Sequence, residues 1–230
     1  RPLLEYWLCE LNRIGVKKVL VNIHHHQRLL ETFLARSCFS EWVCGVLEQE
    51  LLGTAGTLRQ NSKDLSVGTT LLVHTDNWCQ CDLSVFLDYH RHHRPPNTVM
   101  TMMTFRTPTP TTCGIVELDS DGVVRQFHEK VSDPPGNLAN GAVYLLEPEV
   151  VRWVVDRPVV SDFSTEVLPE FLGRIATWEN IGIHRDIGTV QSLLDAQEDP
   201  QPDCCWPDTD EWMYAYQNNP VHEQLISATS

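Results

Sequence analysis

Nowhere does the sequence hold the run of roughly 18 apolar residues that a membrane-spanning helix needs. Near its start Glu5, Glu10 and Asn12 interrupt any stretch that could act as an export signal. Basic side chains are scarce, with 17 Lys and Arg against 31 Asp and Glu and a formal net charge of −14. A face for nucleic acid or an anionic membrane requires the opposite balance, so neither is expected as a partner. A polyanionic ligand would have to be met by a metal or by a few lysines. There is no Gly-Lys-Ser/Thr phosphate loop, no GxGxxG, no internal repeat and no low-complexity segment. The eight cysteines are scattered, mostly inside apolar segments, and follow no disulfide framework of the kind found in small secreted chains. They read as reduced thiols in a cytoplasmic protein.

What the chain does have is material for a core. Its 230 residues are 42% hydrophobic and include seven Trp, seven Phe and five Tyr, enough for one ordinary domain with an added tail and too much for wholesale disorder. Leu3, Leu4, Trp7, Leu8, Leu11 and Ile14 recur at helical spacing, with Pro2 suited to a first turn and Gly15 to a helix end. A strand over 16–23, a helix over 27–35 and a strand over 42–47 follow, the rhythm of a parallel sheet with crossover helices. The apolar run over 70–74 precedes Asp76, and helical spacing returns over 83–90. Four strand-like runs (98–105, 113–118, 123–128 and 141–146) then crowd the middle, the second and third joined by the turn-forming Asp119-Ser120-Asp121-Gly122. A helix after Val150, a helix capped by Asp162 and a last strand over 177–184 complete the pattern. The expectation is an α/β, Rossmann-like fold with a mixed, mostly parallel sheet, a hairpin insertion, a domain over 1–198 and an extension over 199–230.

Several residues carry chemistry by position. Asp76 and Asp186 each follow a strand, and in open α/β sheets ligands gather at strand carboxyl ends. Two such carboxylates could share one Mg²⁺, a hard cation that takes oxygen ligands together with substrate phosphates; each alone equally suits a helix or turn cap. Leu51 to Gly56 (LLGTAG) sets two glycines ahead of a helical stretch, where backbone can approach a flat ligand or a phosphate, although a plain turn would look the same. Glu129 and Lys130 end a strand as adjacent opposite charges. Strand alternation puts neighbours on opposite faces, so they are not expected to form a simple surface ion pair.

Taken in order, RPLLEYWL at the start, LLGTAGTL from Leu51, TDN from Thr75, FHEK from Phe127, NLANGAVYLLEP from Asn137, STEVLP from Ser164 and RDIGT from Arg185 resemble the sugar-phosphate nucleotidyltransferases. These enzymes join a nucleoside triphosphate to a sugar 1-phosphate, and the resemblance covers residue 1 to about residue 198. It implies a GT-A-like fold in which Asp76 and Asp186 hold the catalytic Mg²⁺. It further implies that Leu52, Gly53, Thr54 and Gly56 border the base, that Glu129, Asn140, Gly141 and Glu166 line the sugar, and that Lys130 meets its phosphate. Two features depart from the family. The opening strand and Gly-rich triphosphate loop do not precede Arg1, which suggests a fragment of a longer protein or a chain without turnover. Thr75 stands where a Gly commonly precedes the Asp, and its larger side chain would crowd the nucleotide.

The base follows from donors and acceptors. Glu48 or Glu50 could face a base edge, and guanine offers two adjacent N–H donors to one carboxylate where uracil or thymine offers one N–H between carbonyls. GTP is thus favoured, and by family analogy a mannose or manno-configured heptose 1-phosphate. Association into a homo-oligomer is compatible with the sequence. Two other classes compete: a catalytically silent subunit that binds nucleotide-sugar, and a glycosyltransferase using Asp119 and Asp121 as a metal motif. Against the former stand the three mutually costly charges of Asp76, Lys130 and Asp186; against the latter stands the hairpin-tip composition around Gly122. His24-His25-His26 reads as a loop or helix entry, and Cys79 and Cys81 with His90, His92 and His93 match no common zinc spacing.

Overall fold

The computed structural model describes residues 1–220 and 222. In chain order its elements are α1 (Leu3–Arg13), β1 (Val19–Ile23), α2 (Gln27–Leu34), β2 (Val43–Leu47), α3 (Gly53–Gln60), the single turn α4 (Ser62–Leu65), β3 (Thr70–Val73), β4 (Asn77–Cys79), α5 (Leu83–Asp88), β5 (Met100–Arg106), β6 (Gly114–Leu118), β7 (Val124–Glu129), β8 (Leu138–Leu146), α6 (Pro148–Val155), β9 (Ile175–Glu179), β10 (His184–Asp186), α7 (Val190–Glu198) and α8 (Glu211–Gln217). Among the described residues no helix is long and apolar enough to cross a membrane. The chain divides into two compact units, Leu52–Glu198 and a unit made of Arg1–Leu51 together with the residues from Asp199 onward. The segment after 199, read from its prolines as an extension, therefore shares its unit with the N-terminal helices.

In the unit built from both chain ends, β1 and β2 pair in parallel from Val19↔Val43 to Ile23↔Leu47, with α2 as the crossover that a parallel pair requires. One face of α1 buries Trp7, Leu8 and Leu11, as the helical spacing predicts, and the same helix buries Glu5 completely. A carboxylate there needs partners, and two arginines provide them: Arg1 Nη1 donates to Glu5 Oε1 at 2.6 Å, while Arg36 Nη1 lies 3.1 Å from Glu5 Oε2, off the line of a hydrogen bond, and its Nη2 donates to Glu5 Oε1 at 3.3 Å. The same guanidinium donates through Nε to Asp210 at 2.7 Å, and Asp210 caps α8 by accepting from Met213 N at 2.8 Å. Around it stand the rings of Phe33, Phe39 and Trp212, each 5.1–5.5 Å from the guanidinium carbon, a distance at which a cation is attracted to an aromatic face.

The Leu52–Glu198 unit holds a six-stranded sheet in the order β7-β6-β8-β5-β9, with β3 paired to β8 off that path. β5 lies between β8 and β9, and Met100 to Thr104 are buried without alternation, which explains why TVMTMMTF is apolar on both faces. Tyr144, Leu146, Phe163, Val167 and Phe171 join Met100 and Met102 of β5 in the main core, against Val150 and Val154 of α6 and Leu58 of α3. β6 and β7 form the expected hairpin. Asp119 builds its turn, accepting from Asp121 N and Val123 N at 2.9 and 3.0 Å and from Arg125 Nε at 2.8 Å.

The fold is α/β with a mixed sheet flanked by helices, as read from the sequence, but the balance of directions differs from that reading. β1–β2 and β5–β9 are parallel, whereas β8 is antiparallel to β3, β5 and β6. Between β5 and β8 no α-helix intervenes; β6 and β7 pair as a hairpin, and β8 inserts between β5 and β6, antiparallel to both. The single strand expected over 177–184 is two strands. Asn180 accepts from Gly182 N at 2.9 Å and turns the chain between β9 and β10.

Replacing Arg36 by Met leaves buried Glu5 with Arg1 as its remaining guanidinium partner and strips Asp210 of its Arg36 contact. Losing one partner of a buried charge while another remains costs less than the roughly 3 kcal/mol of a fully broken buried pair, and urea unfolding of Arg36→Met is expected to show a loss of about 1–3 kcal/mol. An unchanged midpoint would mean that the pair does not hold the unit together.

Candidate active site

β3 ends at Val73, and His74, Thr75 and Asp76 lead directly into β4. β4 pairs antiparallel with β10, Asn77 opposite Asp186, Trp78 opposite Arg185 and Cys79 opposite His184. Ile187 N reaches Asp76 O at 3.5 Å. Asp186 thereby lies opposite Asn77, the residue that follows Asp76. Each carboxylate has a local anchor: Asp186 Oδ1 accepts from Gly188 N at 2.9 Å, and Asp76 Oδ1 from Asn77 Nδ2 at 3.2 Å. Both charges also act on the imidazole of His184.

An irregularity in β8 holds this arrangement. Its register against β5 jumps from Tyr144↔Met102 to Asn140↔Thr104, so residues 141–143 face Met103 alone. Ala142 adopts a left-handed φ of 53°. Bulges of this kind bend a strand and re-aim its neighbours, commonly beside active sites. Two consecutive carbonyls of the bulge are used. Gly141 O accepts from His184 Nε2 at 2.9 Å, and Ala142 O accepts from His74 N at 3.1 Å. Each of these histidines sits two residues before one of the aspartates, so a single bulge fixes both acidic segments. The His184 ring stacks on Phe105, with centroids 4.0 Å apart. Space beside Gly141 is closed, since an added Cβ would stand 3.0 Å from Met103 O and 3.1 Å from His184 Nε2.

Burial pushes both histidines below the usual imidazole range, and the nearby carboxylates only partly oppose it. Because a carbonyl can only accept, the His184 proton is on Nε2, leaving its buried Nδ1 without a hydrogen-bond partner among the described residues; His74 Nε2 is likewise unpartnered. Asn140, expected at the sugar, serves the bulge. Its Nδ2 donates to the fully buried Tyr144 hydroxyl at 2.6 Å, and its Oδ1 accepts from Ala142 N at 3.0 Å.

The LLGTAG segment is placed by residues 161–166. Gly53 has φ +74°, and a Cβ there would lie 2.4 Å from Ser161 O, so only glycine fits. Ala55 N donates to that same carbonyl at 2.9 Å, and Thr54 Oγ1 accepts from Phe163 N at 2.8 Å. Leu52 supports the turn, its Cβ being 2.8 Å from where a Cβ on Gly56 would project. Glu166 closes the loop: Oε2 accepts from Asp162 N at 2.7 Å, Ser161 N at 2.9 Å and Ser161 Oγ at 3.1 Å, which holds its carboxyl below the usual range. Asp162 caps the following turn by accepting from Thr165 N at 2.7 Å, as its position suggested.

Glu48 falls in the other unit, buried, with its backbone bonded to Ile23 O and to the His24 ring. At the end of β7, Lys130 has a left-handed φ of 49° and is exposed, its Nζ 3.9 Å from Glu129 Oε1. The pair expected to point apart thus comes together, because the left-handed residue breaks strand alternation. Such an exposed pair contributes little to stability.

Among the described residues no group of three or more His, Cys, Asp or Glu is arranged to hold a metal. His90 is bound instead to Thr101 and Glu147, and His92 and His93 stand beside Asp88. The two strand-end aspartates are a donor set that fits Mg²⁺, which is commonly held by one or two carboxylates and completed by water and substrate phosphates. Sequence reading singled out these aspartates and did not single out His74, His184, Phe105 or Tyr144 around the bulge. The Asn140-Gly141 pair inside a strand was the available sign of a bulge.

A family model described as Nucleotidyl transferase matches residues 1–201. Relatives include Mannose-1-phosphate guanyltransferase 2 of Candida glabrata, 22% identical over 202 residues that make up 84% of this chain and 55% of that protein. Another is the mannose-1-phosphate guanylyltransferase catalytic subunit beta of Drosophila pseudoobscura pseudoobscura, 24% identical over 84% of this chain and 53% of that protein. The chain spans about half the length of these curated relatives. Among solved structures, HddC from Yersinia pseudotuberculosis complexed with GMP-PN has a TM-score of 0.71 at 19% identity, covering 86% of this chain and 85% of that chain, a likeness of fold.

The Glu166 cap has a pH signature. A carboxyl held below its unfolded value of 4.5 adds stability above that value and loses it as pH falls through the folded one. Glu166→Gln is therefore expected to be less stable than the parent at pH 7, with the gap closing below about pH 4 in urea titrations. A gap independent of pH would remove the charged cap.

Proposed function

We propose, because the chain belongs to the nucleotidyl transferase family, that it makes a nucleotide-sugar and pyrophosphate from a nucleoside triphosphate and a sugar 1-phosphate. The observation that supports this reading is the β4–β10 ladder, in which Asp186 lies opposite Asn77, the residue that follows Asp76. In the reaction the sugar phosphate oxygen attacks the α-phosphorus in line and pyrophosphate leaves. No general base is needed, since a phosphate monoester is already ionised at pH 7. The task of the protein is to bring two anions together and to offset the charge that develops between them.

Asp76 and Asp186 would hold Mg²⁺, which when bound neutralises charge on the phosphates. Lys130, exposed at the end of β7, would meet the sugar phosphate, and Glu129 beside it would accept from sugar hydroxyls. Gly141, with Asn140 behind it, would shape the sugar side through the bulge, and Glu166 would act there through the loop over 161–166. Leu52, Gly53, Thr54 and Gly56 would border the base, where the glycines let backbone come close. The assignment of Asp119 to the hairpin turn speaks against a glycosyltransferase metal motif, since its carboxylate already takes two backbone N–H groups and Arg125.

GTP is the favoured nucleotide and a manno-configured hexose or heptose 1-phosphate the favoured acceptor. Support comes from the guanylyltransferase names of the relatives and from the GMP-PN complex of HddC. Cytoplasmic nucleotide-sugar supply for polysaccharide synthesis follows as the setting. The test is pyrophosphate release by the full-length natural protein with Mg²⁺, four nucleoside triphosphates and a panel of sugar 1-phosphates. Turnover is expected with GTP and a mannose-type phosphate. Asp186→Asn is expected to lose at least about a hundredfold in rate with an unchanged circular dichroism spectrum. Near-parental turnover in that variant would contradict the assignment of the carboxylate.

A further inference from the structure

Three thiols meet in the unit built from both chain ends. Cys9 on α1 is buried, Cys204 is half-buried and Cys205 is exposed. Cys9 Sγ lies 2.7 Å from Cys204 Sγ, closer than two sulfurs stand in ordinary contact, and accepts from Cys205 N at 3.0 Å. Cys205 Sγ points elsewhere, to Cys9 O at 3.6 Å. The segment that carries the pair is already tied down on both sides. Arg1 donates to Trp206 O at 2.9 Å and pairs with Asp208, and Trp206 packs edge-on against Phe39 with centroids 5.0 Å apart. Cys204 is therefore presented to Cys9 by surrounding contacts that do not depend on either sulfur. All eight cysteines are free in the structure.

We propose that Cys9 and Cys204 form a reversible disulfide that staples the segment following Asp199 to α1. The co-reactant is a low-molecular-weight disulfide such as oxidised glutathione. The Cys204 thiolate attacks one of its sulfurs, forming a mixed disulfide and releasing one glutathione thiolate. The Cys9 thiolate then attacks Cys204 Sγ, closing the protein disulfide and releasing the second glutathione. Two protein thiols lose two electrons and two protons; one oxidised glutathione becomes two reduced molecules. Burial raises the Cys9 thiol above its usual range, so its own reaction with oxidant is slow, and the half-buried Cys204 is the point of entry. Cytosolic disulfides of this sort are characteristically transient and redox-responsive. The link would join positions 195 residues apart. A closure of that length restricts the unfolded chain strongly.

The experiment uses the full chain, reduced and then equilibrated with oxidised glutathione. Intact mass and peptide mapping without reductant are expected to show a loss of two hydrogens and a Cys9–Cys204 linked peptide. The oxidised form is expected to melt higher by on the order of 5 °C, and reductant should reverse both changes. Cys205→Ser, which leaves the pair intact, is expected to behave like the parent, while Cys204→Ser should lose the linked peptide and the shift. Mapping the oxidised parent needs no variant, so a misfolded substitution cannot obscure the answer. A vicinal Cys204–Cys205 link, only intermolecular or glutathionylated products, or an oxidised chain with no Cys9 cross-link would overturn the proposal.

Discussion

The pairing of β4 with β10 is the constraint on which the rest of the site depends. Three residues of ladder bring the chain segments that carry Asp76 and Asp186, far apart in sequence, next to each other. The ladder is itself held from below by the β8 bulge, whose consecutive carbonyls take His184 Nε2 and His74 N. Without the bulge, residues 141–143 would continue the regular register with β5 and those two carbonyls would point along the ordinary ladder. Strain at Ala142 and two buried, neutral histidines are the local cost of the arrangement. Such departures from regular sheet geometry concentrate where a fold has been adapted to bind something.

The remaining polar features divide between site and scaffold. Asp119, Glu166, His90 and Asn140 each have specific partners inside the protein that account for them without a ligand. Lys130, by contrast, is exposed, and its ammonium stands 3.9 Å from Glu129 Oε1. In the unit built from both chain ends, Arg36 plays a scaffold role: it neutralises Glu5, binds the cap of α8 and sits among three aromatic rings. That unit contains the segment after 199, so a description of this region as a trailing extension undervalues it. Its prolines and acids concealed Trp206, Trp212 and Met213, which pack there or are buried.

Helical period and apolar strand runs made much of the architecture legible. Residues 3–14, 27–35 and 42–47 are near matches to α1, α2 and β2, and Asp119 to Gly122 is the predicted hairpin tip. What was hidden is set by long-range pairing. The direction of β8 depends on which strands flank it, and no local pattern records that. The run over 177–184 looked continuous because Ile181 and Ile183 keep a β-rich pattern across a turn made by Asn180. Asp186 ends β10, as the sequence suggested, whereas Asp76 lies in the short link between β3 and β4. The histidines were not legible, because what distinguishes His184 is a carbonyl 43 residues away in the chain. Glu129 and Lys130 were misread for a backbone reason, a left-handed φ at Lys130 that sequence alone does not announce.

The most direct measurement is anomalous diffraction from crystals of the full-length protein soaked in Mn²⁺ with a nonhydrolysable guanine nucleotide. The account predicts one peak bonded to carboxylate oxygens of both Asp76 and Asp186, with the remaining ligands drawn from phosphate and water. A peak on Asp119 or Asp121, or ion density that touches neither Asp76 nor Asp186, would contradict it.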